Sequence, residues 1–172
     1  MMNVRAARAD EIEACREIQR RSGEVFLDTV HAHVADHEPD EPAILRAALA
    51  EGLLWVAAEA DNAPVGQLMA TARASGLVIA QLDVLPEHHR RGIGHMLIEA
   101  AEAEARRRGL SQIWLRTFRD IPWNAPYYER LGFQALDTQD PDALDPATAA
   151  HERGIGLDPA GRVTMRKRLV TR

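Results

Sequence analysis

A single cysteine, Cys15, stands in the 172 residues, so no intrachain disulfide can form and a crosslinked secreted fold is excluded. Its neighbours Ile12, Ala14 and Ile18 make it a small inward-facing helix residue rather than a reactive thiol. A basic excess is lacking too. Lys and Arg total 21 against 26 Asp and Glu, a net charge of -5, which speaks against a general nucleic-acid binder. No stretch approaches the roughly 20 apolar residues of a membrane span. The opening "MMNVRAARADEIEA" lacks the apolar core of a signal peptide. These absences point to a cytoplasmic protein with no nucleic-acid or membrane partner. The remaining composition, 46% hydrophobic and 27% charged, suits one compact domain spanning 1–172. Basic residues nonetheless cluster at Arg90–Arg91, Arg106–Arg108 and Arg166–Arg168, which leaves a local anion site open.

Residues 3–7 read as a short first strand. Asp10 is placed to cap a helix running to about Arg21, with Ile12, Cys15, Ile18 and Gln19 on one face. Residues 22–42 lose periodicity and gain acid and histidine, as an irregular, partly helical segment does. A helix then runs from Pro42 to Glu51 and stops at Gly52. "LLWVAAEA" and "APVGQLMATAR" read as a hairpin turned by Asp61–Asn62. Residues 76–84, "GLVIAQLDV", are apolar at nearly every position, the pattern of a central strand buried on both faces. The helix that follows has Ile93, Met96, Leu97, Ala100 and Ala103 on one face and is stopped by Gly109. Residues 111–118 form a strand after this crossover, hence parallel to the preceding one. "NAPYYERL" is a short helix with Asn124 as its N-cap, and "GFQAL" resumes a strand. Residues 137–161 are an excursion with about one turn of helix, and 162–169 close the chain as a strand.

Between the central strand and the helix lies "LPEHHRRGIGH". A helix N-terminus offers unpaired N–H groups and a partial positive charge, a ready site for phosphate. Glycines there allow close backbone approach, and flanking arginines add charge-assisted hydrogen bonds. A dinucleotide fingerprint is absent, because after Gly92 and Gly94 the third glycine position holds Leu97. A Walker loop is absent as well. A tight turn with solvated arginines remains the plain alternative.

"HRRGIG", His89 to Gly94, resembles the acyl-coenzyme A loop of the GNAT superfamily of N-acetyltransferases, Gln/Arg-x-x-Gly-x-Gly/Ala. "WNAPYYERLGF", residues 123–133, resembles a later motif of that family, N-x-x-x-Y-x-x-x-G-F. The order of elements along nearly the whole chain is similar too. His89 departs from the pattern, standing where the family usually has Arg or Gln. The resemblance implies an α/β (α+β) fold. Its sheet would be mixed and mostly antiparallel, of about six to seven strands flanked by helices and splayed at the two central parallel strands. It also implies acetyl-CoA as acyl donor. Val84, Leu85, His89, Arg90, Arg91, Gly92, Ile93, Gly94 and His95 would line its site, and Asn124 would serve as cap, cofactor contact or both.

Acetyl transfer to an amine requires a base for the attacking ammonium, whose pKa lies near ~10.4. It also requires donors for the oxyanion and an acid for the departing thiolate. By the resemblance, backbone N–H groups near Asp83–Leu85 meet the oxyanion and pantetheine, and Tyr128 protonates the thiolate. Tyr127, about 100° round the helix, cannot share that site. Where many relatives carry a strand glutamate this chain has Gln81, which makes Asp83 the nearest candidate base.

"HAHVADHEPDEP", residues 31–42, holds His31, His33, Asp36 and His37, but at no settled metal-ligand spacing, so no metal is expected. In the family pattern this segment borders the acceptor, and its acidity would attract a cationic amine. A solubilising loop is the alternative. Residues 137–161 either fold over the acceptor cleft or form a dimer surface. Two other readings stay open: a non-catalytic acyl-CoA-binding module of the same fold, and a regulatory domain whose basic turn takes another anion.

Overall fold

The computed structural model describes residues 1–74 and 76–170. Its strands are β1 (Asn3–Ala6), β2 (Leu54–Ala58), β3 (Pro64–Arg73), β4 (Gly76–Val84), β5 (Gln112–Phe118), β6 (Gln134–Ala135) and β7 (Arg162–Arg168). Its α-helices are α1 (Ile12–Ser22), α2 (Pro42–Ala50), α3 (Ile93–Arg107), α4 (Ala125–Arg130) and α5 (Pro146–Gly154). The strands make a mixed, mostly antiparallel sheet in the order β1-β2-β3-β4-β5-β7-β6, with β4 and β5 as its parallel pair. The expected fold class is the observed one. The chain divides into two compact units, Met1–Thr71 with Ile79–Glu104, and Ala72–Val78 with Ala105–Arg172. Among the described residues no helix is long and apolar enough to cross a membrane.

In the first unit β1 runs antiparallel to β2, with Asn3 opposite Ala58 and Ala6 opposite Trp55, and β2 runs antiparallel to β3. Every residue of β2 is buried, as a strand covered on both faces requires. Ile12 and Cys15 of α1 and Leu45 and Ala48 of α2 pack with Leu54, Val56 and Met69. Asp10 does not cap α1. A 3-10 turn, Ala9–Glu11, comes first, and Glu11 accepts the Arg8 N–H at 2.7 Å while pairing with Arg5 at 2.6 Å. Asp10 lies inside this turn, so it does not occupy the N-cap position from which a side chain accepts the N–H groups ahead of it.

Two burial patterns differ from expectation. Only the first part of β4 is buried: Gly76, Leu77 and Ile79 are inside, Ala80 is exposed, and Gln81 to Val84 are half-buried. In α3 the buried stripe is Ile93, Leu97, Ile98, Ala101, Glu102 and Ala105, while Ala103 is exposed and Met96 and Ala100 are half-buried. Ile98 decides the rotation, because burying it removes more apolar area from water than burying either expected alanine.

In the second unit β5 pairs antiparallel with β7, from Gln112 opposite Arg168 to Phe118 opposite Arg162, and β6 adds Gln134 and Ala135 to the other edge of β7. Ile113, Leu115, Phe133, Val163 and Met165 are among its buried side chains. Gly76 lies so close to β5 that a Cβ there would sit 2.2 Å from the Gln112 carbonyl oxygen. The excursion at 137–161 carries more helix than expected. α5 has nine residues, and the Asp145 carboxylate caps it by accepting the Thr148 N–H at 2.9 Å.

Candidate functional site

The candidate residues fall into two groups, one in each unit. In the first, β4 ends in a 3-10 turn at Pro86–His88, and α3 starts at Ile93. Two residues between them take the left-handed backbone, Arg90 (φ 61°) and Gly92 (φ 76°). At Gly92 a Cβ would meet nothing within 4 Å, so the backbone there opens onto free space. The first intrahelical bond of α3 runs from Met96 N–H to the Gly92 oxygen at 3.1 Å. The N–H groups of Ile93, Gly94 and His95 therefore precede the helical ladder, where an anion finds donors and a favourable dipole.

The side chains of this turn are partly engaged. Arg91 Nη1 donates to Glu59 Oε1 at 3.2 Å and to His88 Nδ1 at 2.7 Å. His89 Nε2 lies 2.9 Å from the Val84 oxygen and ties the turn back to the strand end. The Leu85 N–H is taken by the Val65 oxygen at 2.9 Å, so of the backbone donors expected at the strand end this one is already paired. His95 leans along its own helix, 3.8 Å from Glu99. Ile93 is buried and offers only its backbone, whereas Arg90 is exposed.

Asp83 belongs to the same unit. Ser22 Oγ lies 2.6 Å from its Oδ1, and Gln67 Nε2 donates to Oδ2 at 2.6 Å. Burial pushes its carboxyl up to about 6; the two hydrogen bonds oppose that rise and the charge of Asp40 adds to it. Neither Ser22 nor Gln67 was singled out from the sequence. Gln67 had a visible signal, a polar residue inside the apolar run "VGQLMA", and it is fully buried with its Oε1 unpartnered. Cys15, also buried, is pushed up to about 12, chiefly by desolvation, which removes it as a nucleophile.

The acidic segment is held to α1 at Asp40. Arg16 Nε donates to the Asp40 carbonyl at 3.0 Å, the Asp40 N–H donates to Gln19 Oε1 at 2.8 Å, and Gln19 Nε2 donates to Asp40 Oδ2 at 3.2 Å. The ring centroids of His31 and His37 lie 6.2 Å and 5.9 Å from that of His33. Among the described residues, no group of three His, Cys, Asp or Glu side chains is placed to hold a metal ion.

The second group lies on and beside α4. Asn124 occupies the N-cap position, but its side chain does not cap the helix. Its Oδ1 instead accepts from Thr117 Oγ1 at 2.5 Å, because the buried threonine hydroxyl needs an acceptor. Asn124 Nδ2 is then left buried and without a partner among the described residues. Tyr128 is half-buried, edge-on to Phe133 at 5.8 Å and to Tyr127 at 5.2 Å. Burial raises the Tyr127 hydroxyl above its ordinary pKa. In the same unit, Arg116 grips Glu152 at 2.6 and 2.9 Å, and Arg162 Nε lies 3.1 Å from the same carboxylate.

Residues 12–133 match the acetyltransferase (GNAT) family. The whole chain also resembles solved structures. The PaiA N-acetyltransferase of Thermoplasma acidophilum, in complex with coenzyme A, superposes with a TM-score of 0.72 at 17% identity, over 98% of this chain and 99% of that one. The ribosomal-protein-S18-alanine N-acetyltransferase of Escherichia coli gives 0.68 at 16%, over 100% and 96%. N-acetylglutamate synthase of Neisseria gonorrhoeae, with coenzyme A and N-acetyl-glutamate, gives 0.69 at 17%, over 99% of this chain and 35% of that one.

Proposed function

The chain belongs to the acetyltransferase (GNAT) family, and from that premise we propose that it transfers an acetyl group from acetyl-CoA directly to a primary amine of a small molecule or peptide. The observation that carries the proposal is the start of α3, where Gly92 turns left-handed with open space at its Cβ position and the N–H groups of Ile93, Gly94 and His95 precede the helical ladder. Such a cluster suits a pyrophosphate. The unpartnered Nδ2 of Asn124 suits an acceptor atom of the cofactor arm. Acetyl-CoA supplies the activated acyl carbon.

In this reading Asp83, poised near neutrality, takes a proton from the acceptor ammonium. The freed lone pair forms the N–C bond and makes a tetrahedral oxyanion, whose collapse breaks the C–S bond; the nitrogen sheds its second proton through water, which restores the Tyr128 hydroxyl. The Val84 N–H is the donor proposed for the oxyanion, and Tyr128 gives its proton to the departing thiolate. The acidic segment at 31–42 draws a cationic amine towards the site. The proposal keeps the cytoplasmic location expected from the sequence.

Gln81, a non-basic residue where many relatives have glutamate, favours a second reading, an acyl-CoA-binding module without turnover. Calorimetric titration with acetyl-CoA tests the first step, with NADH and ATP as controls and Gly92→Glu alongside. Selective binding that the variant loses is expected. Turnover on an amine panel, lowered at least tenfold by Tyr128→Phe with acetyl-CoA binding unchanged, then separates enzyme from binding module. Absence of binding to well-folded protein would sink both readings.

A further inference from the structure

Ser22, the last residue of α1, holds one hydroxyl proton between two acceptors. Its Oγ lies 2.6 Å from Asp83 Oδ1 and 2.9 Å from the Gln19 carbonyl oxygen one turn back. We propose that Ser22 is the positioning residue that lets Asp83 gain and lose a proton without moving. When Asp83 is ionised, the Ser22 hydroxyl donates to Oδ1. When Oδ1 carries a proton, that O–H donates to Ser22 Oγ, and the Ser22 hydroxyl rotates to the Gln19 carbonyl. The heavy atoms stay in place, and neither state leaves the hydroxyl or the acid without a partner, which is what a partly buried polar pair favours.

Gln67 decides which oxygen takes the proton. Its Nε2 donates to Oδ2 at 2.6 Å. An amide N–H only donates, so Oδ2 remains an acceptor in both states and the proton is directed to Oδ1. Reversing the amide would set Gln67 Oε1 against an ionised Oδ2, two acceptors facing each other. The titratable group that acts on Asp83 is Asp40, which precedes α2 and raises it, while Asp83 in turn helps to raise the Cys15 thiol on α1. Asp40 is itself fixed by the side chains of Gln19 and Arg16. Helix α1 therefore carries the proton partner of Asp83 and also anchors the carboxylate that raises it.

The inference rests on the proposed transfer reaction only for the source of the proton, the acceptor ammonium. That proton sits on Oδ1 during transfer and leaves to water afterwards. The test is therefore built to succeed or fail without turnover. The full chain, labelled with 13C at Asp carboxyl carbons, is titrated by NMR, and Asp83→Asn identifies the resonance. Ser22→Ala removes the donor to the ionised form, so the Asp83 midpoint is expected to rise by about one pH unit. Ser22→Thr, which keeps a hydroxyl, is expected to restore the midpoint. Should Ser22→Ala not fold, Ser22→Cys carries the same expectation, because a thiol is a weak donor. A midpoint that is unchanged or lowered on loss of the hydroxyl, or not restored by threonine, overturns the proposal. If the titration behaves as stated and no acetyl transfer is found, the transfer reading fails and the role of Ser22 stands. If transfer occurs and the titration does not respond, the reverse holds.

Discussion

Gln67 and Asp83 sit on strands β3 and β4 with their side chains 2.6 Å apart, a fully buried, uncharged donor against a half-buried carboxylate of the first unit. Two hydrogen bonds only partly offset the loss of water, and burial leaves the acid at about 6 instead of 3.8. The folded chain thus holds this proton more tightly than the unfolded chain does. Stability falls as pH rises through the window from 3.8 to about 6, and above it the loss is complete. Asp83→Asn has no such proton. Relative to wild type, the variant should gain stability on going from about pH 4 to about pH 7, by on the order of 1–3 kcal/mol. Urea denaturation at the two pH values measures it. A difference between the proteins that is constant with pH would mean that Asp83 titrates as an ordinary carboxyl.

Gly76 makes a contact of another kind. No left-handed backbone is involved; the constraint is the 2.2 Å between its Cβ position and the Gln112 carbonyl oxygen, with the Trp114 ring at 2.7 Å. Backbone cannot swing aside as a flexible side chain can, so Gly76→Ala should destabilise the protein by about 1–3 kcal/mol or more. Gly154, the last residue of α5, has nothing within 4 Å of its Cβ position. Gly154→Ala should therefore be neutral or stabilising by up to about 1 kcal/mol. Equal effects of the two substitutions on the denaturation midpoint would refute the close approach.

These positions show what could be read before the structure and what could not. The succession of elements along the chain and the turn before α3 were legible, because apolar runs, a Gly-x-Gly turn and a charge-laced helix are local signals. The buried face of α3 was read one step wrong, since periodicity ranks alanines with isoleucine while the interior takes Ile98 first. α5 was missed because the residues it buries, Ala149 and Glu152, include a charge, and a hydrophobic pattern cannot register that. The Asp145–Pro146 pair, a capping residue before a first-turn proline, was the available clue. At the site, Asp83 was legible as the nearest carboxylate. Its partners Ser22 and Gln67 lie 61 and 16 residues away along the chain, and no spacing rule joins residues across packed elements.

Glu152 is buried and serves two guanidinium groups, accepting from Arg116 at 2.6 and 2.9 Å with Arg162 Nε at 3.1 Å. Removing the shared carboxylate leaves two cations facing each other away from water. Glu152→Gln should cost about 3–5 kcal/mol, and added salt should recover little of it. The exposed pair of Glu13 with Arg16 at 2.9 Å is the comparison, and Glu13→Gln should cost less than about 1 kcal/mol. Thermal and urea unfolding of both variants check the contrast. A mild effect at Glu152 would mean that water reaches the cluster.

Arg91 is drawn two ways. Its Nη1 is held by Glu59 at 3.2 Å and by His88 at 2.7 Å, yet it stands beside the N–H groups proposed to take the cofactor phosphates. A phosphate that recruits this guanidinium must compete with Glu59, which is also a like charge to the ligand. Both side chains are exposed, so their attraction is worth no more than about 1 kcal/mol. Glu59→Gln removes the competitor and the repulsion together. Acetyl-CoA should then bind about two- to fivefold more tightly, with a gain that shrinks as ionic strength rises and screening takes over. Calorimetry at low and high salt reads both effects. An affinity unchanged at low salt would take Arg91 out of the phosphate contacts and leave the work to the backbone of Gly92 to His95.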